Sequence, residues 1–276
     1  MIKKTFYILL ASAFIVTLMN GQVQLRVPRI SQGAKVSQII GLSEVSISYH
    51  RPGVKGREIW GKLLKYDEVW RAGANEPTLF TFSDDVTIEG KKLGAGTYRF
   101  VVIPSKTGGW SLIFNSETKN WGTLYEVKYD TLKIMVKPEE GPLEEWMSFS
   151  FTDLTPASAR VVLAWEKIRL SFKIEINVLA KIQASVGTWQ LLNGAARFAL
   201  DNKMYLEEGL GWAERSIAIE KNARNLQTKA ELLAQTGKVN DAIAIAEEAV
   251  KVAKIKDPKA NTESLEKLII DWKSKK

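Results

Sequence analysis

The sequence contains no cysteine and a single histidine, His50. Without cysteine, disulfides and lipid anchoring at an N-terminal cysteine are both excluded. A zinc or copper centre would need soft or imidazole ligands beyond His50, and a serine triad would have to use the same histidine although no GxSxG motif occurs. The chain also lacks a GxxxxGK[ST] phosphate loop. We therefore expect no metal and no cofactor.

The one long apolar run lies at the N-terminus. Lys3 and Lys4 precede an apolar stretch at residues 6–19, and Asn20 and Gly21 follow it. This order is typical of a secretory signal peptide, and the run is short for a membrane span of about 20 residues. We expect a signal peptide at 1–21, a periplasmic or secreted protein, and no stable membrane span after signal removal; an uncleaved anchor is the alternative.

The remaining composition indicates a folded protein with ordinary surface charge. A chain of 276 residues that is 45% hydrophobic is long enough for one large core or two smaller ones. The formal charge is +8, but the lysines are scattered apart from the C-terminal tail. Nucleic acid is therefore not an expected partner.

Residues 22–177 have the pattern of a β domain. Apolar and polar residues alternate at 147–151 and 170–176, and similar short runs occur at 45–49, 78–82, 86–88, 97–103, 110–115, 132–136 and 160–165. Polar or glycine-containing turns, including one at residues 166–167, separate these runs. About nine strands spaced in this way predict an antiparallel β-sandwich or a flattened barrel.

Residues 178–276 change to alanine, leucine, glutamate and lysine at helical spacing. At an offset of 33 residues, small residues recur in register: Gly209 with Ala242, and Ala213 with Ala246. This pattern resembles a tetratricopeptide repeat, a stacked helix-turn-helix unit. Two such units are few for a free-standing solenoid, so we expect a helical domain that leans on the β domain and has a possible protein partner.

The most unusual composition lies in residues 51–76, called the hallmark segment below. It holds three arginines, two tryptophans, four glycines and an Asn-Glu pair. Glycine permits tight turns, arginine presents a planar donor fork, and tryptophan presents a flat apolar face. We predict a ligand-binding surface that combines this segment with glycine- or arginine-flanked tryptophans and an asparagine from other connections: Arg51, Arg57, Trp60, Trp70, Arg71, Asn75, Glu76, Trp110, Asn115 and Trp121.

Glu76 has two competing interpretations. Pro77 holds it extended at the exit of a bend in which Gly73 and Asn75 permit tight or left-handed backbone. Glu76 either faces a polar ligand beside Trp70 and Arg71, or pairs with Arg71 or Arg57 inside the fold as a structural clasp. The other four tryptophans considered fit strand or helix packing: Trp146, Trp165, Trp189 and Trp212.

Several motifs together resemble a bacterial secreted family of unknown function, domain of unknown function family 2911. They are RPGVKGREIWG, VWRAGANE and GTYRFVVIP, followed by Trp110, Asn115 and Trp121-Gly122, with a helical tail like the one that often follows that domain. The resemblance implies an exported β-rich domain and no established activity. Ala72 stands where the family has threonine, which weakens any role for a hydroxyl there.

Three functions fit these observations. The first is an exported envelope module that binds a polar small molecule or glycan through the hallmark segment. The second is a structural or assembly protein in which Arg71 and Glu76 form a clasp. The third is an envelope hydrolase that uses Glu76 as its catalytic carboxylate.

Overall fold

The computed structural model describes residues 27–121 and 124–274. The signal peptide predicted at 1–21 lies outside the described residues. Within them the chain forms ten strands, β1 to β10, followed by six helices, α1 to α6.

The first sheet is antiparallel and six-stranded, in the order β1-β2-β3-β6-β7-β8. Its strands are β1 Gln32–Ile40, β2 Ser43–Arg51, β3 Thr78–Phe82, β6 Gly96–Ile103, β7 Trp110–Asn115 and β8 Asp130–Val136. The hallmark segment forms most of the connection between β2 and β3, which are neighbours in this sheet. It therefore leaves and re-enters the same sheet at adjacent strands.

The second sheet is antiparallel and four-stranded, in the order β5-β4-β10-β9. Its strands are β4 Val86–Ile88, β5 Lys91–Leu93, β9 Glu139–Thr152 and β10 Ser158–Ile176. The turn predicted at 166–167 is wrong, because β10 runs through it with shifts of register on both sides of Glu166, which has φ of +54°. A bulge of this kind bends a strand without ending it.

The core lies between the two sheets. Phe80, Phe100 and Phe114 from the first sheet pack against Phe149 and Phe172 from the second, with ring centroids 4.8–6.1 Å apart. Rings in edge and tilted contact fill such a core without voids. The predicted antiparallel sandwich is confirmed, and the sheets do not close into a barrel.

The helices follow immediately after β10. They are α1 Val178–Ser185, α2 Trp189–Asn202, α3 Leu206–Ile219, α4 Ala223–Gln235, α5 Val239–Lys256 and α6 Glu263–Ser274. The small residues of the offset pattern lie where helices cross, since a Cβ on Gly209 would come 2.8 Å from that of Ala199. Their likeness to tetratricopeptide repeats stays a prediction.

The first helix packs against the sandwich, as expected for a tail that leans on the β domain. Val178 is buried within the sandwich core, and Lys181 pairs with Asp84 at 2.7 Å. The hydrogen bond from Lys181 is the main reason that the pKa of Asp84 falls to about 2. None of the helices in the described part of the chain is both long enough and apolar enough to cross a membrane.

Candidate functional site

The hallmark segment is an ordered connection fixed to both sheets by its backbone. Trp70 and Val102 exchange two backbone hydrogen bonds of 2.7 and 2.8 Å, which tie the segment to β6. Val54 donates to Glu145 at 2.8 Å, and Met147 donates to Pro52 at 3.0 Å, which tie it to β9. Because these bonds span both sheets, the segment covers one end of the sandwich.

The bend before Glu76 uses unusual backbone conformations. Ala72 and Asn75 have φ of +51° and +57°, so the left-handed conformation expected at Asn75 is found and a second one falls on Ala72. Gly73 is needed for a different reason: a Cβ there would come 2.9 Å from Thr78 Oγ1 and 3.1 Å from the oxygen of His50. The bend is therefore held by close packing as well as by local preference.

Four tryptophans form a packed cluster beneath the segment. Trp60, Trp70, Trp110 and Trp165 lie with ring centroids 4.7–5.8 Å apart. Trp70 and Trp110 are only 5% and 3% exposed. Trp70 and Trp110 therefore turn little ring surface outward and Trp60 is half-buried, because the rings contact one another at edge and tilted angles and Trp70 stacks on Trp165 of β10.

A cavity of about 630 Å³ opens above this cluster. Its walls come from the hallmark segment, from the chain before β1, from Trp165 and from Tyr125: Ile30, Ser31, Pro52, Gly53, Lys55, Arg57, Leu63, Leu64, Val69, Trp70, Arg71, Gly73, Ala74, Tyr125 and Trp165. Three of these side chains are cationic, and no carboxylate from the described residues lines the cavity. We call it the basic cavity.

Arg71 is the most distinctive of the three cations. Its side chain makes no hydrogen bond or ion pair with any described residue, and the residue is half-buried. Burial is the main cause of the lowered pKa of Arg99; the carboxylate of Glu117 acts against it, and the charge of Arg71 lowers this pKa further. Arg99 itself is 1% exposed and donates to the backbone oxygen of Leu124.

The other two cations are held at the rim. Arg57 donates through Nε to the oxygen of Val54 at 3.0 Å and through a terminal nitrogen to that of Gly53 at 2.5 Å. The Lys55 ammonium lies 5.7 Å from the ring centroid of Trp146. Arg57 thus closes its own turn, and Lys55 stays exposed on the cavity wall.

Tyr125 reaches the cavity from the connection between β7 and β8. Its hydroxyl donates to Asp130 at 2.5 Å, and burial together with this bond raises the pKa of Tyr125. Asn115, predicted to bind ligand, is buried and holds the same connection, since its amide donates to Asp130 Oδ1 at 2.8 Å and to Glu126 O at 3.0 Å. Asn115 therefore supports the wall that carries Tyr125 and does not line the cavity.

Glu76 lies outside the basic cavity, in a shallow surface depression beside His50. Its carboxylate accepts two bonds of 2.6 Å from Arg29, and His50 Nε2 lies 3.3 Å away. The bond from Arg29 is the main cause of the lowered pKa of Glu76. The predicted pairing of Glu76 with Arg71 or Arg57 is wrong, because the chain before β1 places Arg29 against this carboxylate.

The remaining predicted residues take other positions. Arg51 donates to the backbone oxygens of Met147 and Trp146, so it joins β2 to β9. Asn75 donates to the oxygen of Ser31 at 2.9 Å. Trp121 is 54% exposed and does not line the cavity.

Of the ten predicted binding residues, the structure brings Arg57, Trp70 and Arg71 together in the cavity. Sequence reasoning missed Lys55 and Tyr125, and it assigned Trp165 to packing alone. Lys55 lay within the hallmark segment and could have been included on composition. Nothing local to Tyr125 or Trp165 indicated that these residues would meet the segment.

Metal chemistry has no evident centre in the described residues. No group of three or more histidine, aspartate or glutamate side chains there is arranged to hold an ion.

The indole N–H groups of Trp60 and Trp165 are buried without an acceptor from the described residues.

Fold and site together define a two-sheet β-sandwich whose hallmark connection encloses a basic cavity, followed by a helical tail. The chain belongs to the family described as Protein of unknown function (DUF2911), whose model matches residues 31–174. That range includes the hallmark segment and all of the sandwich strands except Glu175 and Ile176, the last two residues of β10. No curated protein and no solved structure gives a significant match.

Proposed function

We propose that the protein is an exported binding module that takes a small polar ligand in the basic cavity. A glycan-like ligand is the narrower form of this proposal, with the helical tail serving for docking or contact with another protein. The supporting observation is Arg71, a half-buried cation that lines a cavity of about 630 Å³ without a partner among the described residues. A partly desolvated charge is costly unless something pairs with it, and a ligand is a suitable partner.

The hydrolase alternative has less support. Glu76 lies outside the cavity, and its lowered pKa keeps it ionised, whereas a general acid needs a raised pKa. The clasp alternative survives in changed form, as a pair between Arg29 and Glu76. Their side chains are 52% and 40% exposed, and exposed pairs contribute at most about 1 kcal/mol. Such a pair does not account for the cavity.

Ligand-observed NMR tests the proposal with a panel of neutral and acidic sugars, amino acids and small carboxylic acids. The protein is residues 22–276, compared with Ala74→Trp, which places a large ring at the cavity wall. Ala218→Trp, at an exposed position on α3, is the matched control.

We expect at least one compound to bind the wild type and the Ala218→Trp variant, and to lose binding in Ala74→Trp. The proposal fails if no compound in the panel binds. It also fails if the Ala74→Trp variant binds every compound as well as the wild type does.

A further inference from the structure

We infer that the ligand of the basic cavity is a small molecule that joins an oxyanion, such as a carboxylate, to an apolar body. The inference rests on the proposed binding function and names the chemical class of its ligand, an acid with an apolar body in place of the glycan-like form. Two features of the cavity carry it: a wall whose charged side chains are all cationic and a rim of exposed aliphatic side chains.

The first feature is the charge of the wall. Lys55, Arg57 and Arg71 line the cavity, and no described carboxylate lines it with them. The hydroxyl of Tyr125, which also lines the cavity, donates to Asp130 and stays neutral because its pKa is raised. The charged side chains that line the cavity are therefore all cationic, while the nearby carboxylates of Asp130 and Glu145 lie behind the wall, where they accept from Tyr125 and from the backbone N–H of Lys55.

Arg71 is placed to receive that anion. The charges of Arg71 and Arg99 repel each other, although the carboxylate of Glu117 also acts on Arg99, and Arg99 is held in place by burial and by its bond to Leu124 O. An oxyanion bound at Arg71 would relieve this repulsion. The planar guanidinium fork matches the two oxygens of a carboxylate, and such charge-assisted bonds are about twice as strong as neutral ones.

The second feature is the apolar rim. Ile30, Leu63 and Val69 all line the cavity, and they are 76%, 45% and 41% exposed. Trp70 and Trp165 contribute little open ring surface, because they are 5% and 1% exposed. A ligand gains more here from aliphatic contact with the rim than from stacking a sugar face on indole.

The size of the cavity favours a free small molecule over a macromolecular segment. About 630 Å³ falls within the range of about 300–1,000 Å³ typical of small-molecule sites. A single body about the size of a fused aromatic ring pair would contact the rim while its acid group reaches Arg71.

The test uses three probes that separate charge from shape. 1-Naphthaleneacetate has both the acid and the apolar body, 1-naphthaleneacetamide has the same shape without the charge, and glucuronate has the charge on a polar body. Isothermal titration measures their dissociation constants for the wild type, Arg71→Gln and Lys55→Gln. Arg215→Gln, an exposed arginine on α3, is the matched control.

For the wild type and Arg215→Gln, we expect naphthaleneacetate to bind at least about tenfold more tightly than its amide, the effect of one charge-assisted bond. That preference should disappear in Arg71→Gln and become smaller in Lys55→Gln. If Arg71→Gln does not fold, the Lys55→Gln variant alone tests the role of the positive charge. Glucuronate should bind more weakly than naphthaleneacetate.

Two outcomes overturn the inference. If the acid and the amide bind equally to the wild type, or the preference survives both substitutions, the anion assignment is wrong. If glucuronate binds as tightly as naphthaleneacetate, the assignment of an apolar body to the ligand is wrong. In either case, a compound of the NMR panel that binds the wild type and does not bind Ala74→Trp would still support a binding module. The two proposals can therefore fail separately.

Discussion

Gly41 lies at the contact between the sandwich and its helical tail. It is the first residue of the two-residue turn that joins β1 to β2, closed by the pair Ile40 and Ser43. Gly41 has φ of +59°, and a Cβ there would lie 2.7 Å from Val178 Cγ2 and 2.8 Å from the backbone oxygen of Pro156. Substitution by alanine therefore meets both a conformational and a steric obstacle.

The size of the effect follows from these two terms. A left-handed conformation costs a non-glycine residue about 1–2 kcal/mol. Overpacking against neighbours that cannot move freely adds about 1–3 kcal/mol, and the Pro156 oxygen is backbone. We expect Gly41→Ala to lower the free energy of unfolding by about 2–5 kcal/mol and to loosen α1 from the sandwich.

Gly90 provides the matched control. It lies in the two-residue turn between β4 and β5 with φ of +77°, and a Cβ there has nothing within 4 Å. Gly90→Ala should cost only the conformational term, about 1–2 kcal/mol. Urea unfolding of both variants and the wild type measures the difference. Equal losses for Gly41→Ala and Gly90→Ala would refute the close approach between turn, loop and helix.

Three further predictions concern the pair at the tail, the carboxylate at the hallmark and the boundary of the sandwich. Because the pKa of Asp84 is depressed to about 2, mainly by the hydrogen bond from Lys181, its stabilising effect is complete above about pH 4 and is lost as the pH falls toward 2. Asp84→Asn should therefore lower the free energy of unfolding at pH 7 by about 1 kcal/mol, after discounting for the partial exposure of Asp84. Near pH 2 the variant and the wild type should have the same free energy of unfolding. A loss that does not change with pH would contradict this prediction. Glu76→Gln should cost less than about 1 kcal/mol in thermal melts, since Glu76 and Arg29 are both exposed, and a loss above about 3 kcal/mol would indicate a buried clasp instead. The β domain should melt cooperatively without the tail, whereas residues 178–276 alone should be less stable. A chain of residues 22–185 should also melt at a higher temperature than one of residues 22–177, because α1 packs on the sandwich core. Equal melting temperatures would count against that packing.

The site could be located from sequence only in part. Arg57, Trp70 and Arg71 were predicted as binding residues from the composition of one segment, and all three line the cavity. The same reasoning misplaced Trp60 and Trp110, because a flanking glycine or arginine indicates a connection but not whether its indole faces inward. Burial of an aromatic ring depends on what the opposite sheet supplies, here Trp165.

Local periodicity predicted most of the strands and the change to helices after residue 177, although it missed β1 and β5 and divided β10 in two. Alternation along one strand reports which of its faces is buried, and helical spacing does the same for a helix, so both can be predicted without partners. Only the tertiary structure decided that Glu76 pairs with Arg29, 47 residues earlier, and that β10 passes through Glu166 as a bulge. The reason is physical: a side-chain partner or a register shift depends on which distant segments the packed sheets bring together, and no short stretch of sequence carries that information.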